Sequence, residues 1–212
     1  MLAAARYGST PRLSRAALSL GARLALVGLF AAFAWSNFAH WRSTGEPSGF
    51  GMTLLEGWVA ILFLVRRPTD VVTRRTLAWV AAPIGSFAKL FARPGGEGMP
   101  HVAAEAVQLV GVALALVSLG VLGRSFGLVA ANRGIKTGGP YGVVRHPAYT
   151  GYLISYIAYV AENPSLRNFV LLLVGTAFQV IRIAEEELVL AADSAYARYR
   201  RRVRYRLIPL LY

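Results

Sequence analysis

Residues 102–123 constrain the fold more than any other part of the chain, because they form an apolar run broken by one formal charge, Glu105. A helix of about 20 apolar residues matches the roughly 30 Å hydrocarbon core of a bilayer, and only a helix or a closed barrel satisfies its own backbone there. Composition separates a membrane span from a helix buried in a soluble core. Of 212 residues, 56% are hydrophobic and 16% charged, with a mean hydropathy of +0.48. Soluble domains average about 45–50% apolar and about 25% charged, so the whole chain is shifted toward lipid.

Five further stretches follow the same pattern. They cover residues 16–40 (interrupted by Arg23), 48–65 (by Glu56), 76–92 (with Pro83 inside and Lys89 near one end), 147–161 and 168–181. The last two are short, charge-free and separated by Glu162-Asn163-Pro164-Ser165, a turn signal, so they read as a helical hairpin. The expectation is an all-α polytopic membrane bundle of about six spans, five to six. Arg6, Arg12 and Arg15 ahead of the first run give it the look of a signal peptide, but its length and the spans that follow favour a retained helix.

Lys and Arg number 23 against 10 Asp and Glu, a formal net charge of +13. A nucleic-acid binder needs a polar body to carry such charge, which the hydropathy excludes. With no cysteine, disulfides, thiolate metal sites and a cysteine nucleophile are excluded, and no metal site is expected. Sorted by loop, most basic residues fall in the N-terminus, residues 66–75, residues 124–146 and the tail, whereas Arg42, Arg93 and Arg167 lie opposite. The positive-inside rule then puts both termini in the cytoplasm. It also puts the two longest polar segments, residues 124–146 and 182–212, on that side, so the chain divides into N-terminal membrane helices over residues 1–123 and a C-terminal functional region over residues 124–212 that holds the helical hairpin and the basic tail.

Chemistry has few places to reside. Glu56 and Glu105 are costly at depth, and each is open to two readings, a functional site or a helix–helix hydrogen bond. The loop reading Thr137-Gly138-Gly139-Pro140-Tyr141-Gly142-Val143-Val144-Arg145-His146-Pro147-Ala148-Tyr149 is more informative. Its glycines permit close backbone approach, and Pro147 marks a helix start whose positive dipole end suits an anion. Below the last apolar run, Arg182 precedes Glu185, Glu186 and Glu187, with Glu185 and Glu186 three and four residues on. These carboxylates read either as local ion pairs or as acceptors for a ribose diol or a cationic centre. The arginine-rich tail, interleaved with Tyr199, Val203 and Tyr205, reads as an interfacial helix on anionic lipid.

Gly139-Pro140-Tyr141, then Val144-Arg145-His146-Pro147, Tyr149 and Gly151, resemble the cofactor motif of the isoprenylcysteine carboxyl methyltransferase family, which is related to the membrane phospholipid N-methyltransferases. The glutamates, Leu188, Tyr196, Tyr199, Val203 and Arg206-Leu207-Ile208-Pro209 resemble the rest of that signature, over roughly residues 123–209. Three features depart from it: Ala184 replaces an acidic neighbour, Ala192-Asp193 stand where Phe-Gly is common, and the tail carries an extra residue. The resemblance implies an integral-membrane enzyme that uses S-adenosylmethionine without a Rossmann domain. It implies Gly139, Tyr141, Arg145, His146, Tyr149 and Glu186 as cofactor-binding residues and Glu185 and Arg206 as catalytic ones.

In-line methyl transfer asks the protein mainly to align donor and acceptor and to exclude water. A carboxylate acceptor, the leading expectation, needs no base and could be held by Arg145 or Arg206. An amine or thiol, as in phospholipid N-methylation, must lose a proton, to Glu185 or His146. The expected partners are membrane lipids and an amphiphilic acceptor, with the protein in the bacterial inner membrane. A non-catalytic six-span transporter or sensor is the alternative from another class.

Overall fold

The computed structural model describes residues 12–93 and 98–212, with side chains from residue 20 onward. Arg6, and the side chains of Arg12 and Arg15, lie outside the described residues. The described elements are helical, and the one β feature among them is an isolated bridge between Val72 and Ala131. Seven α-helices follow one another: α1 (Arg12–Thr44), α2 (Pro47–Val65), α3 (Thr76–Phe87), α4 (His101–Leu122), α5 (Pro147–Glu162), α6 (Leu166–Leu190) and α7 (Ser194–Arg202).

Local chemistry explains where they start and stop. Gly45, at φ +76°, ends α1 in the left-handed conformation that glycine adopts without steric cost. Pro47 and Pro147 occupy the first turns of α2 and α5, where the missing N–H costs nothing. Ser165 Oγ accepts from Asn168 N at the start of α6, and Asp193 Oδ1 accepts from Ala195 N at the start of α7.

Helices α1, α2, α4 and α6 supply four segments long and apolar enough to cross a membrane, namely Leu20–Thr44, Pro47–Val65, His101–Ser125 and Leu166–Leu190. The other two apolar stretches form shorter helices. At about 1.5 Å per residue, the 12 residues of α3 fall short of the bilayer core, although a 3-10 segment, Ala88–Phe91, extends it. The last apolar helix does not end near residue 181. It continues to Leu190 as one 25-residue helix, because glutamates are good helix formers and Arg182 Nε meets Glu186 Oε1 four residues on at 3.1 Å.

Small residues set the closest helix contact. A Cβ on Gly151 of α5 would lie 2.5 Å from Gly111 O of α4, and one on Gly111 would lie 2.6 Å from Gly151 O. Ser155 Oγ donates to Gln108 O across the same seam at 2.9 Å. Small residues with an interhelical hydrogen bond are how helices pair in lipid, where apolar burial drives nothing. Glu105 takes the helix–helix reading, since its Oε1 accepts from Ser48 N at the start of α2 at 2.8 Å.

The polar segments meet at one end of the bundle. Residues 66–75 bond to residues 124–146 through Arg67 N to Arg124 O (2.8 Å), Thr73 N to Ala130 O (3.1 Å) and Asn132 N to Val71 O (3.0 Å). The tail joins them where Arg145 N and His146 N donate to Tyr205 O and Arg206 O, both at 2.9 Å.

Candidate active site

The turn before α5 is held from three directions. Gly139 takes φ +57°, which lets Pro140 and Tyr141 turn back under α4. Tyr141 is buried in a small aromatic core with Tyr196, Tyr199 and Val203, and Tyr199 Oη donates to Tyr141 O at 2.7 Å. Burial pushes the Tyr199 hydroxyl up to about 12 and raises those of Tyr141 and Tyr196, so all three stay neutral hydrogen-bonding groups at physiological pH.

Glu187 is the hub of the assembly. Its Oε1 accepts from Arg145 Nε at 2.7 Å and lies 3.3 Å from His146 Nε2, while its Oε2 accepts from Arg206 Nε at 3.0 Å. Arg145 also donates to Val203 O and Arg204 O, and Arg206 to Tyr212 Oη. Both arginines are therefore engaged by the protein itself. Sequence reasoning left Glu187 without a role, because three adjacent glutamates on a helix differ only in the direction each faces.

Glu186 faces the other way. Tyr149 Oη donates to its Oε1 at 2.5 Å, Arg182 Nε to the same oxygen at 3.1 Å, and His146 Nδ1 lies 3.7 Å from its Oε2. The His146 ring stacks on Tyr149 at 5.6 Å between centroids, and the Arg182 guanidinium lies over Tyr149 at 4.9 Å. Arg182 also reaches Ser86 Oγ and Gly127 O.

Tyr141, Arg145, His146, Tyr149 and Glu186 line a single cavity of about 200 Å³. Most of the rest of its lining is apolar, including Phe30, Leu55, Val59, Phe63 and Leu119 contributed by α1, α2 and α4. The lining thus draws on both sides of the boundary expected at residue 123. Three expected site residues are absent from it. Gly139 acts through the turn, Arg206 is bonded to Glu187, and Glu185 points away, its buried carboxylate paired with Arg75 Nε at 2.9 Å. The spacing pairs Arg182 with both Glu185 and Glu186, and the fold selects Glu186.

Arg133 joins the lining from the 124–146 loop. Burial, with Arg66 and Arg23 adding like charge, pushes its pKa down to about 10. Its guanidinium occupies space that a side chain at Gly127 would take, since a Cβ there would lie 2.5 Å from Arg133 Nη1. Neither residue stands out in the sequence, because the proximity exists only once the loop has folded.

Residues 100–195 match the profile of the phospholipid methyltransferase family, a stretch that contains both the turn before α5 and the three glutamates. Among solved structures, the chain is similar to isoprenylcysteine carboxyl methyltransferase, a eukaryotic intramembrane Ras methyltransferase. Identity is 20% over 91% of this chain and 77% of that one, with a TM-score of 0.43. No curated protein matches the chain.

Proposed function

We propose, from the premise that residues 100–195 carry the phospholipid methyltransferase pattern, that this chain is a multi-pass membrane methyltransferase using S-adenosylmethionine on an amphiphilic acceptor. The observation that carries the reading is a single cavity whose lining joins His146, Tyr149, Arg182 and Glu186 to mostly apolar side chains of the spanning helices. An amphiphile could enter the apolar end from the bilayer while a soluble cofactor reaches the polar end. The meeting of the basic segments at that end supports a cytoplasmic orientation, with both termini on that side.

The polar end suits the cofactor's groups. Arg133, in the lining, gains from a neighbouring anion such as the cofactor's carboxylate. Tyr141 lines the cavity with an aromatic ring that can face a cationic centre, and Glu186 offers a carboxylate to it or to a diol. When bound, S-adenosylmethionine supplies an electrophilic methyl group on a sulfonium.

The chain's own residues supply alignment, dryness and a proton acceptor. In the tautomer that donates from Nε2 to Glu187 Oε1, His146 presents the lone pair of Nδ1. Nδ1 lies 3.7 Å from Glu186 Oε2, on the side of the ring that meets the cavity-lining carboxylate. Arg145 and Arg206, the residues expected to clasp a carboxylate acceptor, are held by Glu187 instead. That engagement favours the second chemistry, an amine or thiol that loses a proton to His146, over carboxyl O-methylation.

Calorimetric titration of the purified protein with S-adenosylhomocysteine tests the reading. Saturable binding is expected, and its absence both in detergent and in lipid overturns the proposal. Base-stable methyl incorporation marks an amine or thiol product, whereas base-labile incorporation marks an ester.

A further inference from the structure

A second set of polar groups lines the membrane-embedded half of the same cavity, and the chemistry above uses none of them. Glu56 of α2 is 3% exposed, with Oε2 buried and unpartnered. Gln179 Nε2 of α6 and Tyr156 Oη of α5 are likewise buried and unpartnered, and both residues line the cavity. Lys89, from the 3-10 segment after α3, completes the group, its Nζ over the Tyr152 ring at 4.8 Å. Four elements of the bundle thus bring polar side chains to one lining.

Leaving a buried polar atom unpaired costs on the order of 1–3 kcal/mol, and more for an ionised group. Three such atoms in one lining are a strong departure from the rule that buried polar groups are bonded. Their chemistry is also complementary. Glu56 Oε2 needs a donor, Gln179 Nε2 needs an acceptor, and Tyr156 Oη can serve as either. Glu56 and Lys89 bring groups of opposite formal sign to one lining, so a ligand group of either charge meets a like charge there as well as an opposite one in a low-dielectric site.

We propose that this inner half is a specificity subsite for an uncharged group that both donates and accepts hydrogen bonds, a hydroxyl or an amide, carried on an apolar chain. The inference rests on the reading that an amphiphile occupies this cavity. The subsite is continuous with the polar end through aromatic rings. His146 stacks on Tyr149, Tyr149 lies 6.4 Å from Tyr152, and Tyr152 carries Lys89. A single extended molecule can therefore touch both ends. A bare hydrocarbon tail would leave the three polar atoms unsatisfied, and this is what makes the subsite selective.

Native mass spectrometry of the full chain in detergent, with 1-dodecanol, dodecyl methyl ether and dodecylammonium as competing probes, tests it. The alcohol is expected to exceed the ether, which lacks a donor, by about tenfold, and to exceed the ammonium as well. Glu56→Leu should abolish the preference for alcohol over ether. With dodecanoate added as a fourth probe, Glu56→Gln removes the acid that shares the lining with Lys89 and should raise dodecanoate binding by about tenfold over the parent protein, and no rise overturns the assignment of Glu56 to the subsite. Equal binding of alcohol and ether, tighter binding of ammonium than alcohol, or an unchanged preference in Glu56→Leu overturns the inference. Titration of the same sample with S-adenosylhomocysteine separates the two levels. Cofactor binding without alcohol preference defeats the subsite alone, whereas loss of both cofactor and amphiphile binding defeats the methyltransferase reading.

Discussion

Arg145 Nε donates to Glu187 Oε1 at 2.7 Å, a buried pair that ties the turn before α5 to the last turns of α6. Because Arg206 and His146 converge on the same carboxylate, Glu187 fixes where the tail and the α5 turn sit relative to each other. Removing one partner leaves buried cations without their counter-charge. Glu187→Ala should therefore destabilise the protein by roughly 3–5 kcal/mol, and Glu187→Gln by less. Thermal unfolding in detergent measures this, and a melting temperature unchanged in Glu187→Ala would refute the hub role.

Adjacent glutamates should behave oppositely. Glu186→Ala removes the cavity-facing carboxylate and should weaken S-adenosylhomocysteine binding by about tenfold or more, the scale of one charge-assisted hydrogen bond. Glu185→Ala breaks the pair with Arg75 on the far side of the helix and should lower thermal stability while leaving the titration unchanged. Comparable loss of affinity in both variants would refute the assignment of Glu186 as the one cavity-facing glutamate of the three.

The α4–α5 seam has no room for a side chain. Gly151→Val would place atoms against the backbone of Gly111 and Ala115, and overpacking of that kind costs on the order of 1–3 kcal/mol or more. Since α5 carries Tyr149 and Tyr152 into the cavity, cofactor binding should fall together with stability. Ligand titration at a temperature where the variant is still folded distinguishes displacement of α5 from global unfolding.

Alkaline stability should depend on Tyr199. Burial raises its pKa from the ordinary 10 to about 12, so the folded state favours the protonated phenol. That contribution is complete below pH 10 and is lost as pH rises from 10 through about 12, where the unfolded chain ionises first. Tyr199→Phe should cost about 1 kcal/mol at neutral pH, through the lost bond to Tyr141 O, and should flatten the decline above pH 10. Urea or thermal unfolding followed from pH 7 to 11 measures both effects.

Much of the architecture was legible because lipid imposes it locally. Long apolar runs correspond to α1, α2, α4 and α6, and Pro47, Pro147, Ser165 and Asp193 mark helix starts by chemistry confined to one turn. Length was less legible. Propensity and one ion pair carry α6 past its apolar part to Leu190, which hydropathy alone does not register. Within the site, Tyr141, Arg145, His146 and Tyr149 could be named because they share one short segment whose path glycine and proline restrict.

What the sequence by itself determined is therefore the helical membrane class, the sorting of basic charge and the segment that builds the polar end of the cavity. All three follow from interactions between residues close in the chain or from the solvent each run prefers. Only the tertiary structure decided which glutamate faces the cavity and that Arg145 and Arg206 are bound to Glu187. It alone brought Arg133 beside Gly127 and placed Glu56, Lys89 and Gln179 in one lining. Adjacent residues on a helix differ by about 100° in direction, and only packing against other helices makes that rotation a choice between the ligand and the scaffold.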